Sequence, residues 1–199
     1  MPAIGGMSGR NVRRLRNLMF DLRSGGVLAG SRRTHHAQED AHDVVNTDVT
    51  ALERIFGGRI RDHDVLVDVG CGKGRVLRWW AARTAGNRIV GLELDEEVAA
   101  ETRERLRAEP RVEVIAGDAV ANLPADGTLF YLHNPFGEQV VRAFAERLAE
   151  LHPDRSGLRI LYYNPAHAGA FEADPGWSVE RVTIGAEGFH ELCVIEPSA

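Results

Sequence analysis

The sequence predicts one α/β domain. It should hold a mostly parallel, seven-stranded sheet with helices on both faces, an antiparallel strand at the C-terminal edge and a helical N-terminal cap. Three observations carry this. Between Asp64 and Asn164, short β-branched runs alternate with segments of helical period, the pattern of strand–helix–strand crossovers. The first run ends in a glycine cluster, Gly70, Gly72 and Gly74. The last two strand-like segments follow each other with no helix between them, which argues an antiparallel pair.

Taken in order, residues 1–9 read as a frayed end. Asn11–Ser24 reads as a helix, with Val12, Leu15, Met19 and Leu22 on one side. Residues 24–43, with Gly, Ser and three histidines, read as a loop. Val44–Phe56 is a second helix through Val45, Val49, Leu52 and Phe56, and completes a cap over residues 1–56. The core, 57–199, opens with Val65–Val69, a buried strand, followed by a helix at Arg75–Thr84. Arg88–Leu94 is the second strand. Asp95 caps the next helix, Glu96 and Glu97 suit its positive end, and Pro110 lies just beyond its last turn. Val112–Ala116 and Thr128–Asn134 are strands. Glu138–Leu151 is the clearest helix, with Val140, Val141, Phe144, Leu148 and Leu151 at three- and four-residue steps. Leu158–Asn164 is a strand, a short helix follows Pro165, and Trp177–Ile184 and Glu191–Ile195 close the chain around a turn at Gly185–Gly188.

Composition narrows the function classes. The chain has 199 residues, 44% of them hydrophobic and 27% charged, which excludes wholesale disorder. No apolar run approaches the ~20 residues of a bilayer crossing, so no membrane insertion is expected. Cys71 and Cys193 form neither a disulfide framework nor a Cys-x-x-Cys site, which fits a reducing, cytoplasmic setting. The net charge of −5 argues against a nucleic-acid partner. Residues 1–34 nevertheless carry seven Arg and one Asp, a basic arm that reads as a solvated helix face, a lid or a surface for an acidic partner. Arg outnumbers Lys 23 to one, which points to a GC-rich, bacterial genome. His35, His36 and His42 lack a carboxylate or Cys at metal-site spacing, so no metal is expected.

In a parallel sheet, ligands sit at the carboxyl ends of the strands. After the first strand comes Asp68-Val-Gly70-Cys71-Gly72-Lys-Gly74. Glycines there let the backbone approach a ligand that side chains would block. Arg75 stands where a dinucleotide loop would place its third glycine, which counts against a nicotinamide cofactor. Glu93, 21 residues beyond Gly72, has the spacing of an acid that grips ribose hydroxyls. Asp118, after the third strand, could take an exocyclic amine while the Ala119 N–H meets a ring nitrogen. It also reads as a helix N-cap.

At VLVDVGCGKGR, IVGLELD, VIAGDA and FYLHNPFG the sequence resembles the class I S-adenosylmethionine-dependent methyltransferases, a Rossmann-like superfamily. The resemblance implies that S-adenosyl-L-methionine is the cofactor. It implies that Asp68, Gly70, Cys71, Gly72 and Gly74 shape its methionine end, Glu93 its ribose site, and Asp118 and Ala119 its adenine site. Asn46-Thr47-Asp48 looks similar to a segment of small bacterial members that closes over the cofactor, and it also reads as a helix N-cap.

The fourth strand ends in His133-Asn134-Pro135-Phe136, similar to the Asn-Pro-Pro-aromatic motif of amino-group methyltransferases, with one proline fewer. Asn134 would orient the acceptor beside the cofactor. Phe136 would favour developing positive charge. His133 and His167, the latter after Asn164-Pro165, are the candidate general bases. Tyr131 and Tyr163 should pack. The expected reaction is methyl transfer to an unidentified nucleophile, with an amine favoured. The alternatives are a non-catalytic cofactor-binding or interaction module, a nicotinamide oxidoreductase, and an aminopropyl transferase using the decarboxylated cofactor.

Overall fold

The computed structural model describes residues 9–23, 47–184 and 190–198, with backbone alone at Gly9, Arg10 and Arg23. Residues 1–8 of the expected frayed end, the 24–43 loop, its three histidines and the closing turn at 185–188 lie outside the described residues, and Gly9 is helical.

Seven strands form one sheet: β1 (Leu66–Val69), β2 (Ile89–Glu93), β3 (Val112–Ala116), β4 (Leu129–Leu132), β5 (Arg159–Tyr163), β6 (Trp177–Ile184) and β7 (His190–Pro197). Their order is β3-β2-β1-β4-β5-β7-β6. The first five pair in parallel, and β7 runs antiparallel to both β5 and β6. The antiparallel pair stands at the sheet's edge, as the sequence predicts, with the last strand on its inner side. Tyr162 therefore faces Cys193 across the β5–β7 ladder, and β6 forms the rim.

Side chains alternate between two cores. On one face Val67, Val69, Phe130, Leu132 and Ile160 pack against α5 (Glu138–Leu151) and α6 (Gly169–Glu172). On the other, Leu66, Ile89, Leu129, Tyr131 and Leu161 pack against α2 (Val49–Phe56), α3 (Arg75–Ala81) and α4 (Glu96–Leu106). Phe56 makes ring contacts of 5.1–5.5 Å with Trp79, Trp80 and Tyr131, so α2 is part of the core layer. Tyr131 and Tyr163 are buried as expected.

The second predicted helix begins later than Val44. Thr47 and Asp48 are outside it, because Asp48 adopts extended backbone and its carboxylate accepts the Thr50 N–H as an N-cap. Ahead of α2 lies α1 (Gly9–Arg23). Asn17 donates to the Asp48 carboxylate at 2.8 Å and accepts the Val49 N–H at 2.9 Å, which fastens α1 to the start of α2.

Phe136 departs from its expected role. Its ring is buried with Ala119, Val141 and Phe144 in the α5-side core, on the short segment that joins β4 to α5.

Candidate active site at the strand ends

The chain leaves β1 toward β2 on one side and later adds β4 and β5 on the other, so the switch in strand order falls between β1 and β4. Clefts form outside the strand ends at such a point. The two loops touch there: a Cβ built on Gly70 would stand 3.0 Å from the Pro135 Cβ.

Gly70, Gly72 and Gly74 have φ of +78°, +50° and +79°, the left-handed region that favours glycine. At Gly74, which opens α3, a Cβ would also meet Thr102 Cγ2 at 2.7 Å. Thr102 donates its hydroxyl to the Gly72 carbonyl at 2.8 Å, so α4 braces the glycine turn from behind.

Glu93 at the end of β2 lies against this turn. Its Oε2 accepts the Gly72 N–H at 2.8 Å and its Oε1 accepts the Asp95 N–H at 3.1 Å. Burial pushes its carboxyl above the ordinary carboxylate range, while those two N–H bonds favour the ionised form. The Leu94 N–H adds to them, and the carboxylate keeps lone-pair capacity for a further donor such as a ribose hydroxyl.

Asp68 is buried, and its Oδ2 has no hydrogen-bond partner. Burial first, and the nearby Glu93 charge second, push its carboxyl well above the usual range. A buried acid with an unsatisfied oxygen beside three left-handed glycines suits an amino-acid moiety that brings its own donors. The residues present therefore fit the methionine and ribose parts of S-adenosylmethionine. Cys71 is buried and its thiol is pushed well up by burial, so it lines this turn as a small apolar group.

Asp118 is exposed at the end of β3 and its Oδ1 accepts the Ala121 N–H at 2.8 Å, the capping geometry. Ala119 is buried behind it.

On the β4 side, Asn134 holds φ at +46°. Its Oδ1 accepts the Tyr162 hydroxyl at 3.0 Å. The same hydroxyl takes a hydrogen bond from the His167 backbone N–H. What residue 167 brings to Tyr162 is thus its backbone, not its imidazole.

His133 sits in a chain of hydrogen bonds. Its Nδ1 lies 3.0 Å from Thr47 Oγ1, which is 2.8 Å from the buried Tyr131 hydroxyl. Its Nε2 lies 3.1 Å from Asn164 Nδ2, and Asn164 Oδ1 is 3.3 Å from His190 Nδ1. One assignment satisfies all of these: His190 and the Asn164 amide donate forward, and His133 donates from Nδ1 to Thr47. Burial, with His190 adding to it, lowers His133 from 6.5 to about 4, so the ring is neutral at physiological pH.

Sequence reasoning missed Thr47, Tyr162 and Asn164 as members of this network, although all three lie inside or beside motifs it singled out. It also missed the role of Arg75. That side chain is buried and forks onto Asp21 of α1 at 2.7 and 3.1 Å, while its Nη1 donates to the Thr47 carbonyl at 3.3 Å. Among the described residues no cluster of three His, Cys, Asp or Glu could hold a metal ion, and no helix is long and apolar enough to cross a membrane.

A seven-stranded sheet of this order, with a glycine turn after β1 and an acid after β2, defines a Rossmann-like methyltransferase fold. Residues 66–152 match the family model described as a methyltransferase domain. That stretch holds the glycine turn, Glu93 and Asn134, so the match falls on the same residues that carry the resemblance to the class I S-adenosylmethionine-dependent methyltransferases.

Solved structures of similar fold include the mitomycin 7-O-methyltransferase MmcR, 20% identical over 75% of this chain and 53% of that one, with a TM-score of 0.61. They include an RNA methyltransferase from Salinibacter ruber in complex with S-adenosyl-L-homocysteine, 22% identical over 78% of this chain and 95% of that one, TM-score 0.56. TrmN from Thermus thermophilus is 18% identical over 74% and 47%, TM-score 0.58. The chain spans about half the length of MmcR and of the pyocyanin biosynthetic protein PhzM. A search of curated proteins returns no match.

Proposed function

We propose that the protein transfers a methyl group from S-adenosylmethionine to an amine nucleophile presented at Asn134. The observation that carries this is Asn134 itself. It is held at φ +46° at the end of β4, tied to Tyr162, and followed by a proline that abuts the glycine turn. When bound, the cofactor supplies an electrophilic methyl whose sulfonium leaves as a neutral thioether. The chain's own work is then positioning and exclusion of water.

In this reading Asp68, Gly70, Cys71, Gly72 and Gly74 receive the amino-acid end. Glu93 takes the ribose hydroxyls, and Asp118 with the Ala119 N–H takes the base. Asn134 Oδ1 accepts the Tyr162 proton with one lone pair and an acceptor N–H with the other, which aims the nitrogen lone pair at the methyl carbon. His133, neutral, is available to take the acceptor's proton if its Nε2 gives up the Asn164 amide. His167 is the second candidate base, on the loop after β5. Residues 1–56 and 57–199 act as one domain, with α1 and α2 closing the side of the cleft. RNA methyltransferases stand among the structural neighbours, so RNA belongs in the acceptor screen beside amines and phenols.

The test is calorimetric titration with S-adenosylmethionine, S-adenosylhomocysteine and NAD, followed by transfer of labelled methyl to those acceptor classes. Binding of the two sulfur compounds but not NAD, with label on nitrogen, supports the reading. Folded protein that binds neither sulfur compound overturns it. Label found only on oxygen or carbon overturns the amine assignment.

A further inference from the structure

α1 is amphipathic, and it docks with its polar face inward. Asn17 bonds Asp48, Asp21 is fully buried against Arg75, and Arg13 and Arg16 reach Asp48, Thr50 and Glu53. Phe20 is the one apolar side chain of this helix packed against the core. The opposite face carries Val12, Leu15, Leu18, Met19 and Leu22, which are 40–59% exposed and are the exposed large apolar side chains among the described residues. At 3.6 residues per turn these five fall within an arc of about 120°. Arg14 and Arg16, both exposed, lie about 40° beyond its two borders.

A protein that buries a helix normally turns the apolar arc inward. Here the polar contacts hold the opposite orientation, so an aliphatic stripe bordered by arginines points away from the domain. The helix carries five Arg against one Asp, and that Asp is committed to Arg75, in a chain whose net charge is −5. We propose that this face of α1 seats in an anionic lipid surface. The aliphatic stripe would enter the headgroup–acyl boundary, and the Arg14 guanidinium on its border would meet lipid phosphates. Within the arc the one polar side chain is Asn11, in the first turn of the helix, and the rest of the stripe is aliphatic, which suits hydrocarbon. The arginines on both borders disfavour a second copy, because stripe-on-stripe packing would set like charges side by side in either helix direction. The binding is peripheral and independent of the cofactor site.

The experiment is co-sedimentation of the full chain with phosphatidylcholine vesicles, with and without about a third phosphatidylglycerol. Wild type should sediment with the anionic vesicles alone, and added salt should weaken this. Leu15→Glu/Leu18→Glu should lower the partition coefficient by at least about tenfold, and Arg14→Glu by several fold, with Tm unchanged in both. Sedimentation with neither vesicle overturns the proposal, as does equal sedimentation with both. So does a concentration-dependent dimer that the double substitution abolishes, which would assign the stripe to a second copy. A double variant with markedly lowered Tm also overturns it, since the stripe would then be covered by the chain's own residues.

Discussion

The Asp21 carboxylate and the Arg75 guanidinium meet in a two-pronged pair with neither side chain more than 5% exposed. The pair joins α1 to the first residue of α3, directly beyond the glycine turn. Removing one partner of a buried pair strands the other charge. Asp21→Asn should therefore cost roughly 3–5 kcal/mol, while Asp21→Leu/Arg75→Met should cost much less, because both charges leave together. Urea unfolding of the three proteins measures this. Equal losses in the single and double variants would show that the pair's charges are not what holds α1 in place.

Glu93 is held by backbone N–H groups of Gly72, Leu94 and Asp95 and keeps lone-pair capacity for ribose. Glu93→Ala should weaken S-adenosylmethionine binding by about 1–3 kcal/mol. Binding requires the ionised carboxylate, and burial has raised its pKa. Wild-type affinity should therefore fall with acid at a pH higher than an ordinary glutamate would set. Titration calorimetry across pH reads both effects, and unchanged affinity in folded Glu93→Ala protein contradicts the ribose assignment.

Asp68 links stability to pH. An acid whose folded pKa is raised contributes most to stability below its unfolded pKa, and that contribution is lost as pH rises toward the folded value. Asp68→Asn carries no such titration. Its Tm relative to wild type should rise as pH climbs above the ordinary aspartate range, while its affinity for the cofactor falls. A Tm difference that stays flat with pH would mean Asp68 is not titrating in the fold.

His133 has the opposite sign. Its folded pKa of about 4 lies below the ordinary 6.5, so the unfolded chain takes up a proton that the folded one refuses. Stability should fall as pH drops from 6.5 toward 4, and His133→Asn should remove that part of the slope. Differential scanning calorimetry at several pH values checks it. An acid limb of kcat/KM near 6.5 that disappears in His133→Asn would show the ring titrating normally.

Asn134→Ala should leave cofactor affinity within about twofold and lower kcat by about a hundredfold, the scale of losing orientation at a reacting centre. Tyr162→Phe removes only the hydroxyl that holds the Asn134 oxygen and should produce a smaller loss of the same kind. Collapse of cofactor binding in Asn134→Ala would place this residue on the donor side instead.

The strand ends were legible in the sequence because each is announced locally. Glycines mark the turn after β1, and Glu93 and Asp118 stand next to β-branched runs. The core was legible through its periodicity. What was not legible are partnerships across distance. Asp21 and Arg75 are 54 residues apart, and Thr47 and Tyr131 are 84 apart. Neither contact leaves a periodic trace, and Arg75 had meaning in the sequence only as a glycine that was missing. The orientation of α1 was hidden for a related reason. Periodicity locates an apolar stripe but does not say which face the polar anchors will turn inward.

The position of β7 carries a consequence for the order of assembly. β6 is made before β7, yet among the described residues its one neighbour in the sheet is β7. During synthesis the ribosome releases β1 to β5 with their helices able to pair at once. β6 emerges with nothing to join, and β5 still has an open edge. Until the final strand slides between them, the nascent chain exposes the open edge of β5 and both edges of β6, the kind of surface that recruits chaperones and invites aggregation. Ribosome stalling or premature termination just short of β7 would therefore leave a protein with its glycine turn intact and its sheet unfinished.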